Sequence, residues 1–145
     1  MKKLILSAII GTALFSNIAF AETYFECTDI LGSQFRLTDS EKSNDFLTYQ
    51  VMYHNGESEQ FDLLKSDVNF IADNLQDNKN QNHYFQSAQF KSDKAHHEMY
   101  YHKFADSKEY AYVTAILFGE ESIDDKGFYH CNMRKPVIHS LDKLK

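Results

Sequence analysis

The chain has 145 residues, with 15 Lys and Arg against 21 Asp and Glu, a formal net charge of −6 and 43% hydrophobic residues, the composition of a soluble globular protein. Arg36 and Arg134 are its only arginines and form no basic stripe, so composition excludes a protein that grips nucleic acid through its phosphates.

The first residues read as an export signal. Met1, Lys2 and Lys3 make a basic start, Leu4 to Phe15 an apolar run, and Ala19-Phe20-Ala21 a small-residue cleavage site. The apolar run is too short to span a bilayer, which takes about 20 apolar residues, and no later stretch is apolar enough to do so. The expected organisation is a signal peptide over 1–21 and a single β-rich domain over 22–145, in the bacterial periplasm or secreted. Residues 22–145 hold 13 basic and 21 acidic side chains, a net charge of −8. All seven histidines lie there, so full protonation at an ordinary pKa of about 6.5 would move that charge toward −1.

In chain order, Thr23 to Asp29 alternates Phe25 and Cys27 with polar residues, Gly32 offers a turn, and Ser33 to Thr38 carries Phe35 and Leu37, which predicts a hairpin. Phe46 to His54 is a third strand, and Asn55-Gly56 predicts a type I′ turn that folds Ser58 to Leu64 back on it. Between Ser66 and Asn82 the apolar residues Val68, Ile71, Ala72 and Leu75 fall at i, i+3, i+4 and i+7, which predicts one short helix followed by an exposed loop over Asp73 to Asn82. Strands resume at His83 to Lys91, Ala95 to Phe104, Glu109 to Phe118 and Gly127 to Met133, with Tyr110 to Phe118 expected to be central and buried on both faces. The tail after Pro136 either frays or docks as a last turn. The fold expected is mainly β: one antiparallel β-sandwich or small β-barrel of about eight strands with one short helix.

Cys27 and Cys131 stand near the two ends of the domain. In an oxidising compartment such a pair reads as one structural disulfide, which brings the ends together.

His96-His97-Glu98-Met99-Tyr100-Tyr101-His102 is the cluster that invites a metal. Its histidines lack the four-residue spacing of zinc-protease helices. As a strand it puts His96, Glu98 and His102 on one face, but Glu98 and His102 are about 13 Å apart at 3.3 Å per residue, too far to share an ion. An exposed polar face with Met99 and Tyr101 inward is the alternative, and no metal or other cofactor is expected. No G-x-S-x-G elbow and no glycine-rich phosphate loop occurs, so catalytic residues are not assigned. The candidate partner-binding residues are Tyr100 and Tyr101, for their area and polar tips, and Glu120, Glu121, Ile123, Asp124 and Asp125, an acidic loop with one apolar side chain that suits a basic cleft.

An exported β domain that begins Tyr24-Phe25-Glu26-Cys27 and has its second cysteine on the final strand resembles the periplasmic inhibitors of C-type lysozyme and, more broadly, immunity proteins against cell-wall hydrolases. The resemblance implies a non-enzymatic protein that neutralises a basic peptidoglycan-degrading hydrolase by protein–protein contact. The Ser-Gly-x-x-Tyr loop of those inhibitors and their tryptophan are missing here, so no inhibitory residue is carried over. The other readings are a small enzyme or metal-binding protein using His96 and Glu98, and a β-barrel for a small ligand.

Overall fold

The computed structural model describes residues 21–119 and 127–144. The expected signal peptide and the acidic residues 120–126 lie outside the described residues, apart from Ala21.

The chain runs as two antiparallel meanders that face each other. Strands β1 (Thr23–Thr28), β2 (Gln34–Asp39), β3 (Phe46–Met52) and β4 (Ser58–Leu64) form the first. A single 3-10 turn, Lys65–Asp67, carries the chain across to β5 (Asn69–Gln76), β6 (Asn82–Lys91), β7 (Ala95–Lys103), β8 (Glu109–Leu117) and β9 (Phe128–His130). It then returns, and β10 (Ile138–His139) adds to β1, giving sheets of order β10-β1-β2-β3-β4 and β5-β6-β7-β8-β9. Neither sheet closes on itself, so the sandwich is the fold and a closed barrel is not.

Four of the hairpin turns are the same device. At Asp29–Ser33, Tyr53–Glu57, Asp77–Gln81 and Phe104–Lys108, the first N–H bonds to the last carbonyl and the fourth N–H bonds back to the first carbonyl. The fourth residue is left-handed in each: Gly32 (φ 102°), Gly56 (φ 88°), Asn80 (φ 57°) and Ser107 (φ 67°). This is a type I turn closed by a left-handed residue, a common three-residue hairpin connection. Asn55-Gly56 therefore makes the expected hairpin but not a type I′ turn, since only Gly56 takes positive φ there.

The helix expected over 66–82 is a strand. In β5, Phe70 and Ala72 turn inward while Ile71 and Leu75 face solvent, and all eight residues pair with β6. The four apolar residues fit a helical stripe, but β-branched Val68 and Ile71 and poor helix formers Asp73 and Asn74 weaken a helix of this length. Pairing with β6 satisfies the backbone instead. The expected loop shrinks to the turn after Gln76, where Asp77 Oδ1 accepts the N–H groups of Lys79 and Gln81.

Strand β8 is an interior strand, paired with β7 and β9, but it is not buried on both faces: Ala111 and Val113 are fully buried, and Tyr110 and Tyr112 are half-buried on the other face. Its apolar composition supplies two different faces, a core and a layer of rings.

The core between the sheets is filled by Phe25, Phe35, Leu37, Leu47 and Tyr49 from one side and Ala88, Phe90, Met99, Tyr101 and Val113 from the other. The C-terminal segment docks: Leu141 is fully buried and its N–H bonds to Gln86 Oε1. Cys27 and Cys131 form a disulfide across 104 residues of chain, at the seam where Asp29 bridges Cys131. Among the described residues no helix is long and apolar enough to cross a membrane.

Closing a loop of that length is worth on the order of 4.7 kcal/mol by chain entropy. Cys27→Ser combined with Cys131→Ala is expected to cost 2–5 kcal/mol of unfolding free energy, read as a lower urea midpoint, and reductant should lower the wild-type midpoint toward the variant's. Ser107→Gly should raise the unfolding free energy by up to about 1 kcal/mol, read as a higher urea midpoint, because glycine carries no Cβ penalty at positive φ.

Candidate functional site

Two-residue alternation divides the His96–His102 segment between two worlds. His97, Met99 and Tyr101 point into the core, and His96, Glu98, Tyr100 and His102 point out. Tyr101, only 1% exposed, stacks on His139 at 3.6 Å and donates its hydroxyl to Glu109 Oε1 at 2.7 Å. It is therefore a core residue and not a contact surface, unlike Tyr100. His97 stacks on Phe90 at 5.2 Å and meets Ser92 Oγ at 3.0 Å. Burial lowers its pKa from the ordinary 6.5 to about 4, so it stays neutral at pH 5 and the acid-driven charge swing is smaller than seven.

The outward residues build an aromatic surface on the second sheet. Rings of Phe85, Tyr100, Tyr112 and Phe128, from four successive strands, stack side by side at 6.2, 4.8 and 4.6 Å. The register produces this row: Tyr100 stands opposite Tyr112, and Phe85 and Phe128 flank them one step along. Tyr110 and His130 extend it, their hydroxyl and Nδ1 2.8 Å apart.

Glu98 sits within this surface as its carboxylate. Ser87 Oγ at 2.8 Å and Gln89 Nε2 at 3.1 Å donate to one oxygen, and the Tyr112 hydroxyl at 3.2 Å donates to the other. Burial first, then the Glu98 charge, pushes the Tyr112 hydroxyl well above its ordinary pKa, which keeps it a donor. Three donors leave about one acceptor position of the carboxylate's four for an incoming cation. Beside Glu98 opens a groove of about 660 Å³, lined in part by Asn69, Gln89, Lys91, His96 and Ile116. Lys91 is the only lysine or arginine among the outward positions described on this sheet.

The first sheet's outer face is different in kind. It carries Glu26, Gln34, Arg36, Gln50, Gln60 and Asp62, paired among themselves through Arg36–Glu26 at 2.6 Å and Gln50–Gln60 at 2.7 Å. Met52 and Leu64 are exposed among these polar groups, but no row of rings forms there.

A second feature adjoins the aromatic surface. Ile30 and Leu31, at the tip of the β1–β2 turn, are 70% and 67% exposed. The turn beneath them is held hard: buried Asp29 accepts the N–H groups of Leu31, Gly32 and Ser33 through Oδ1 at 2.7–2.9 Å, and Ile30 N–H bonds to the His130 carbonyl. Two adjacent apolar side chains are thus presented on a backbone that cannot fold them away.

Sequence reasoning reached Tyr100, Glu98 and the outward histidines but not the row, since Phe85 and Phe128 join it only through pairing. It missed Ile30 and Leu31, although two aliphatics between Asp and Gly in a turn were a readable signal. His96 and Glu98 share the face as expected, while His96 packs its edge against Phe118 at 4.7 Å. No group of three or more metal-ligating residues occurs among the described residues. The acidic candidates Glu120, Glu121, Ile123, Asp124 and Asp125 lie outside the described residues. No protein-family profile, curated protein or solved structure matches the chain.

Because His97 is neutral in the fold and titrates near 6.5 when unfolded, the unfolded chain binds more protons between those values. The stability this group contributes is complete above pH 6.5 and lost as pH falls toward about 4. Urea midpoints at pH 7 and 4.5 should show His97→Phe losing less stability over that interval than the wild type.

Proposed function

We propose that the chain is an exported binding protein of inhibitor or immunity type, which neutralises a basic enzyme by docking the outer face of its second sheet, with a peptidoglycan-degrading hydrolase as the fitting partner class. The observation that carries this reading is the contrast between the two outer faces. One is a paired polar surface; the other spends four aromatic rings and a central carboxylate on a surface that solvent alone does not call for.

The chemistry of the face favours a protein partner with lysine or arginine at its centre. Phe85, Tyr100 and Tyr112 stack on one another and Phe128 tilts against Tyr112, so much of each inner ring face is taken up by its neighbour, which suits protein side chains better than the flat stacking of a sugar ring. Tyrosine gives a large contact area at low entropic cost. The −8 charge of residues 22–145 steers a basic partner toward it. Ile30 and Leu31 supply the apolar anchor such an interface needs. The disulfide supports export, since such bonds persist in oxidising compartments.

Titration calorimetry against purified basic cell-wall hydrolases, C-type lysozyme among them, tests the reading. One-to-one binding is expected, weakened by salt, and weakened at least tenfold by Tyr112→Ala with Glu98→Gln and by Ile30→Ser with Leu31→Ser. Absence of binding to every hydrolase, or saturable binding of peptidoglycan sugar fragments in their place, overturns it.

A further inference from the structure

At the end of the aromatic face near the turns, His83 of β6 and His102 of β7 meet, with His83 Nδ1 3.1 Å from His102 Nε2. The far nitrogen of each ring is engaged. His83 Nε2 lies 3.4 Å from Asp77 Oδ2, and the Tyr100 hydroxyl lies 2.9 Å from His102 Nδ1. Asp77 is an acceptor only, because the N–H of Gln81, then that of Lys79, holds its carboxyl below the ordinary range. His83 therefore carries its proton on Nε2, and its bare Nδ1 takes the N–H of His102 Nε2. His102 Nδ1 is left to accept from Tyr100. Without that one proton, two bare imidazole nitrogens stand 3.1 Å apart.

We infer that His83 and His102 form a two-nitrogen site for a divalent transition-metal ion of the zinc type. Two imidazole nitrogens 2.0–2.1 Å from one tetrahedral ion stand about 3.3 Å apart, so the nitrogens need separate by only a few tenths of an ångström while each ring swings from facing the other to facing the ion. On binding, His102 gives up the proton on Nε2 and takes one on Nδ1, which then donates to the Tyr100 oxygen, while the Tyr100 hydroxyl turns to solvent. One N–H bond breaks and one forms on His102, so the proton count is unchanged, and the two bonds to the metal replace two of the ion's bound waters. Asp77 and Tyr100 then hold the outer nitrogens, as carboxylates and other polar groups do behind metal-binding imidazoles. Burial, then the neighbouring His83, lowers the His102 pKa and favours the neutral ring a metal requires. Phe104 stacks on His102 at 4.2 Å and walls the pair. With no third histidine, cysteine or carboxylate completing a set among the described residues, the other coordination positions belong to water and the ion exchanges readily.

Protein purified without a polyhistidine tag, titrated with Zn²⁺ at pH 7.5 and with Mg²⁺ for comparison, tests the site. One equivalent of Zn²⁺ and no Mg²⁺ should bind. The affinity should fall at least tenfold in His83→Gln and in His102→Gln, and remain as in wild type in His130→Gln. Tyr100→Phe, which removes one hydroxyl, should weaken binding about tenfold, the low end of the effect of losing an outer partner. Imidazole nitrogen spectra should show His102 change to the Nδ1–H tautomer at saturation. No Zn²⁺ binding, equal affinity in His83→Gln and wild type, or an unchanged tautomer overturns the inference. Zinc binding needs no protein partner, so its outcome is separate from that of the hydrolase titrations.

Discussion

The structure depends on a seam at one corner of the sandwich, where β1 ends and the chain returns from β9. The Cys27–Cys131 bond, the Asp29–Cys131 bridge and the bond from Asn132 N–H to the Thr28 carbonyl, 2.7 Å long, all fall within a few residues there. Apart from β10, which joins β1 from the other end of the chain, each sheet is a meander of local hairpins. What fixes one against the other is this join together with the packed core.

The same corner fixes the surface. Asp29 sits beside the disulfide and holds the turn that exposes Ile30 and Leu31, and Ile30 takes the carbonyl of His130, whose ring belongs to the aromatic face. Rigid support lowers the entropic cost of any contact made there. The chain thereby places an apolar tip and an aromatic surface next to each other on one framework.

How much of this was legible depends on the range of the interaction that decides each element. His96 to His102 was readable because strand alternation is local: Met99 inward and Glu98 outward follow from period two alone. Residues 66–82 were misread because Val68, Ile71, Ala72 and Leu75 satisfy a helical stripe, and only the eight pairings with β6 select a strand. Tyr100 and Tyr101 look equivalent as neighbours in sequence, yet one is on the face and the other stacks on His139 from a strand that pairs with β1. The proton chain from Tyr100 through His102 and His83 to Asp77 is likewise invisible in sequence, since 19 residues separate the two histidines.

By itself, the sequence determined the mainly β class, most of the strands, the disulfide between Cys27 and Cys131 and the acidic balance. These rest on period, composition and cysteine count, which need no knowledge of what lies opposite. Tertiary structure alone decided that the sheets stay open as a sandwich, that β8 is fully buried on one face only, and that Phe85, Tyr100, Tyr112 and Phe128 form one row around Glu98. Those outcomes are set by register between strands, and a shift of one residue would turn each of these rings to the other face.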